Sequence, residues 1–170
     1  MRRFGLVAAG VLVAVAGLIA LAVAFNARDD PEVAGAPTGP GELQPDRGSG
    51  HDAAANVTDE FPTSGPHREE LVTRDRRRLT DDQILHALEL GNVVILYDGP
   101  LTTAARVQEE VAGPFDAEVA AAGQAVILAR REGAGPATAL AWRHVYRAEG
   151  PSDPGLSEFA EAWLGRGLGQ

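Results

Sequence analysis

The segment from Thr80 to Tyr97 leaves the chain little freedom in how it can fold. Thr80-Asp81-Asp82-Gln83 has the form of a capping box, with Thr80 as N-cap and Gln83 three residues on. Asp81 and Asp82 put negative charge at the positive end of the helix dipole. Ile84 and Leu88 share one face, with Leu85 beside them, and Gly91 is placed to stop the helix after Leu90. The strand that follows, Val93-Val94-Ile95-Leu96, is apolar at every position. A strand of that kind must be covered on both faces, which predicts a central position in a sheet with helices packed on it.

The rest of the core is read outward from that pair. Asp98-Gly99-Pro100 is a turn. Thr102 or Thr103 can cap a helix over about 104–112, where Val107 and Val111 recur at helical spacing and Gly113-Pro114 ends the run. A short helical piece is expected over 117–122 and a second strand over 125–129. Residues 130–136, with two glycines and a proline, read as a hairpin loop. Residues 137–145 read as one strand, with Leu140, Trp142 and His144 on one parity. Pro154 opens a last amphipathic helix through Leu156, Phe159 and Trp163. The expected fold is α/β (α+β): a small mixed sheet of three to four strands with packed helices, spanning 59–165. A domain of about 105 residues can bury one core without metal or disulfides.

Upstream, Arg2 and Arg3 precede an uncharged apolar run from Phe4 to Phe25. About 20 such residues span a bilayer core. The arginines place the N-terminus in the cytoplasm and the domain outside. Residues 1–25 are thus expected to be a single membrane anchor, with the chain contacting the membrane through 4–25. Ala22-Val23-Ala24 also fits signal-peptide cleavage, which would leave the domain on the same side. Residues 26–58, rich in Pro, Gly and Ala, read as a flexible tether. Asn56-Val57-Thr58 has the form of a glycosylation sequon and reads as a chance occurrence. A net charge of −9 and a pI near 4.8 argue against nucleic acid as partner. The absence of cysteine excludes disulfides and thiolate-ligated metal. The Arg74-Asp75-Arg76-Arg77-Arg78 run reads as a solvated loop, with an anionic ligand as the alternative.

Phe61-Pro62-Thr63-Ser64-Gly65-Pro66-His67 packs two prolines, a glycine and two hydroxyls into a loop that should present His67 in one direction. Together with His86-Ala87-Leu88-Glu89-Leu90-Gly91 before the Val-Val-Ile strand, it resembles an extracytoplasmic bacterial family, domain of unknown function 3105. Ala141-Trp142 and the Phe159/Trp163 helix extend the similarity, which covers roughly 51–164. Relatives of this kind carry His where this chain has Leu90, so that a His-x-x-x-His pair lies on the helix. The resemblance implies fold and location and carries no established activity.

Two functions are then open. One is a non-enzymatic, membrane-tethered interaction module in which His67 and His86 bond backbone carbonyls. The alternative is a copper- or zinc-binding protein. Its ligands would be His67, His86 and His51, with Glu89 as an oxygen ligand or as a partner orienting a ligand. No catalytic group is assigned: Ser64 lies near His67 but lacks the Gly-x-Ser-x-Gly setting of an activated nucleophile. The distances among the imidazoles of His51, His67 and His86 discriminate the two.

Overall fold

A computed structural model describes residues 39–51 and 59–168. The expected membrane segment 4–25, the upstream part of the tether and the Asn56 sequon lie outside the described residues. Among the described residues no helix is long and apolar enough to cross a membrane.

The fold is mixed α/β. In chain order the elements are β1 (Glu42–Leu43), α1 (Asp81–Leu90), β2 (Val93–Tyr97), α2 (Leu101–Val107), α3 (Ala117–Ala121), β3 (Val126–Arg130), β4 (Ala137–Ala141), β5 (His144–Ala148) and α4 (Pro154–Trp163). The five-stranded sheet has the order β1-β5-β4-β2-β3. β2 runs parallel to β3 and antiparallel to β4.

Every residue of β2 is buried, and its alternation divides the core. Val94 and Leu96 join Ile84 and Leu88 of α1. Val93, Ile95 and Tyr97 join Ala104 and Val107 of α2 and Phe159 and Trp163 of α4 on the opposite face. The central strand is thus covered on both sides as its composition requires.

Both ends of α1 are as the sequence predicts. The Thr80 side chain accepts from the Gln83 backbone N–H, and the Gln83 side chain accepts from the Thr80 backbone N–H. Gly91 takes the left-handed conformation, with φ 111°, and its N–H returns to the helix carbonyls.

Four expectations change. The sheet has five strands rather than three or four. Residues 137–145 are not one strand, because Trp142 and Arg143 form a two-residue turn that pairs Ala141 with His144. Arg143 adopts φ 61° there. Residues 130–136 do not close a hairpin: β4 crosses to the far edge of β2, so β2 lies between β3 and β4. The second helix starts at Leu101, before either threonine, and continues as a π-helical turn over Gln108–Ala112.

The compact unit begins at Gly39, well before residue 59. The strap from Gly39 to His51 lies along the fold, and its β1 pairs antiparallel with β5. The Trp163 indole N–H donates to the Pro40 carbonyl at 2.9 Å. Side-chain and backbone bonds that no local pattern announces therefore make this part of the expected tether an integral layer.

Candidate metal centre

The 61–67 loop is buried from Phe61 to Gly65 and again at His67. Its hydroxyl and carbonyl groups are spent on holding neighbours. The Ser64 hydroxyl donates to the Pro45 carbonyl at 3.1 Å and accepts from the Arg47 N–H at 3.0 Å. The Thr63 carbonyl accepts from the Arg143 N–H at 2.9 Å. Ser64 thus ties the loop to the strap, and its bonds leave it no role as a nucleophile activated by His67.

His67 is fully buried. Its Nδ1 lies 2.9 Å from the Gly65 carbonyl oxygen, which can only accept, so Nδ1 carries a proton. Nε2 has no hydrogen-bond partner. It sits 3.1 Å from Glu89 Oε2, close enough for an ion pair but not aligned as a hydrogen bond. His86, on α1, also buries a nitrogen without a partner: its Nδ1 is 3.8 Å from the same Glu89 oxygen. Burial, and secondarily the neighbouring His67, push the His86 pKa below 6.5, favouring its neutral form.

His51 completes the group from the strap. Its Nε2 lies 3.0 Å from Glu89 Oε2 and its Nδ1 2.6 Å from Glu69 Oε1. The hydrogen bond to Glu89, aided by the Glu69 charge and partly offset by desolvation, raises the His51 pKa.

The ring centroids of His51, His67 and His86 form a nearly equilateral triangle with sides of 5.4, 5.9 and 5.7 Å. One donor atom from each ring and one Glu89 oxygen all fall within 4.8 Å of one another. Ligands about 2.0–2.1 Å from a tetrahedral zinc ion would stand about 3.3 Å apart. The contacts of 3.0 and 3.1 Å already match that edge, and the 3.8 Å contact needs a small contraction.

All four residues singled out in the sequence are therefore brought together. The third imidazole comes from His51, not from position 90. Glu69, which bonds His51, carries no sequence signal beyond being one of two acids after His67-Arg68. Asn92 lies between Gly91 and β2. Its buried amide donates to the Ala87 and Ala120 carbonyls and accepts from the Ala125 N–H, joining the end of α1 to α3 and β3.

His144 serves elsewhere. It stacks on Trp163 with centroids 3.7 Å apart and bonds the Trp142 carbonyl. The backbone of the arginine run bonds along β3, with the Arg76 N–H donating to the Leu128 carbonyl and the Arg77 carbonyl accepting from the Arg130 N–H. Arg74, Arg76 and Arg77 line an open cleft of about 1090 Å³, with Asp75 and Glu109 offsetting part of their charge.

A family model described as "Protein of unknown function (DUF3105)" matches residues 51–168. The matched span starts at His51 and so contains His51, His67, His86 and Glu89. No curated protein and no solved structure matches the chain.

Proposed function

The chain belongs to the DUF3105 family, described only by its unknown function, and we propose that this member binds a divalent transition-metal ion through His51, His67, His86 and Glu89. One observation carries the reading. The buried Nε2 of His67 and Nδ1 of His86 both lack a hydrogen-bond partner, and both lie near the same Glu89 oxygen, at 3.1 and 3.8 Å. Buried polar atoms left without partners beside a carboxylate are costly, and a cation among them would satisfy them all.

The competing account makes both histidines structural, satisfied by backbone carbonyls. It explains Nδ1 of His67, bonded to Gly65, and leaves the other two nitrogens unexplained. Three imidazoles and a carboxylate suit Zn(II) or Cu(II), and the absence of sulfur ligands disfavours Cu(I). The triangular disposition of the rings, with the carboxylate near all three, fits tetrahedral Zn(II) better than the planar geometry Cu(II) prefers.

The domain is a binding module rather than an enzyme, held outside the membrane by residues 4–25. The two arginines ahead of the apolar run support that placement. Calorimetric titration of the full-length chain, purified in detergent, with Zn(II) and Cu(II) tests the reading. One saturable site per chain is expected, lost in His67→Ala. No heat with either ion in the native protein would leave the structural account of the histidines standing.

A further inference from the structure

Three of the four donors are held by the body of the fold. His67 is fixed by its Nδ1 bond to the Gly65 carbonyl. His86 and Glu89 ride on α1, whose last turn is held by the bond from the Leu168 N–H to the Glu89 carbonyl at 3.0 Å. His51 is mounted differently. It follows Gly48-Ser49-Gly50, where both glycines take positive φ and a Cβ at either would meet no atom within 4 Å. Upstream the strap is tied at Arg47 to Ser64, and the Gly50 carbonyl accepts from the His67 N–H.

The four side chains also differ in access to solvent: 43% for His51, 16% for Glu89, 11% for His86 and none for His67. An ion among them is walled in on the protein side and covered outward by His51. Glu69 accepts from Nδ1 of His51 and turns its Nε2 inward, and Glu69 is itself 63% exposed. The apolar clusters fill both faces of β2 without help from this site, so the fold does not need the ion as a staple.

Resting on the reading that these residues hold a divalent ion, we propose that His51 is the exchangeable ligand and that the protein hands its ion on. Transfer is a ligand substitution. A nitrogen or sulfur donor of a receiving metal-binding molecule forms a bond to the ion as the bond to His51 Nε2 breaks. The ion keeps its charge and no electron moves. Glu69 is a positioning residue for this step, because it orients His51 and does not touch the ion.

The test uses the full-length chain loaded with one Zn(II) and a pyridylazo-resorcinol chelator as acceptor, with transfer followed by stopped-flow absorbance. The wild-type rate should rise with chelator concentration. His51→Ala should still bind Zn(II), transfer it at least about tenfold faster and melt within about 2 °C of wild type when metal-free. Glu69→Gln should keep the stoichiometry and speed transfer several-fold, less than the roughly 10–100-fold effect of more buried partners that orient metal ligands. If wild type binds no Zn(II), the metal reading itself fails. If wild type binds but His51→Ala transfers at the wild-type rate, or binds nothing at all, the metal reading stands and the role given to His51 is overturned.

Discussion

Gly113 and Gly123 share a positive φ and differ in their surroundings, which makes the pair informative. Their φ angles are 65° and 73°. A Cβ at Gly113 would meet nothing within 4 Å, so Gly113→Ala should cost only the backbone strain of its φ 65°, ψ −170° conformation, about 1–3 kcal/mol. A Cβ at Gly123 would fall 1.9 Å from the Leu90 carbonyl oxygen, where real contacts stay beyond 3.0 Å. The end of α1 would have to retreat by about 1 Å, adding about 1–3 kcal/mol of overpacking. At about 4 °C per kcal/mol for a domain of this size, Gly113→Ala should lower Tm by about 4–12 °C. Gly123→Ala should lower it by about 8–16 °C. Differential scanning calorimetry of the metal-free proteins reads both. Because Leu90 adjoins Glu89, Gly123→Ala should also weaken Zn(II) binding while Gly113→Ala leaves it unchanged. A melting shift below about 4 °C in Gly123→Ala, with Zn(II) binding unchanged, would refute the close approach of α3's end to α1.

Asn92→Ala removes three buried hydrogen bonds and should cost about 2–4 kcal/mol in urea denaturation. Glu89→Gln keeps the shape of the site, removes its charge and should weaken Zn(II) binding by at least about tenfold in calorimetric titration. Burial pushes the His144 pKa below 6.5, so the unfolded chain takes up that proton first as pH falls. Stability should therefore decline as pH drops from about 6.5 through the folded-state value. NMR should place the His144 midpoint below 6.5, and His144→Phe should flatten that part of the stability profile.

Sequence legibility tracked how local each cause was. The ends of α1 were readable because Thr80, Gln83 and Gly91 act within a turn of their own positions. The burial of β2 was readable because all its residues are apolar. The break at Trp142-Arg143 was not, since neither is a typical turn residue and Arg143 takes positive φ under the hold of the Thr63 carbonyl. The strap escaped for a similar reason. Its polar, Pro/Gly-rich composition looks like a linker, and partners distant in sequence, Trp163 and β5, hold it down. That contrast carries into the site. His67 and His86 with Glu89 could be named from a rigid loop and from helical spacing. The convergence of His51, and the part played by Glu69, depended on a strap whose folding the sequence does not announce.

The central claim is that three imidazoles and one carboxylate close around a single ion. X-ray absorption at the zinc edge, on the full-length chain loaded with one equivalent of Zn(II), reads that shell directly. The account predicts four nitrogen and oxygen donors at about 2.0–2.1 Å, with the outer-shell scattering of three imidazoles, falling to two in His51→Ala. A six-coordinate, water-like shell without imidazole scattering would contradict it.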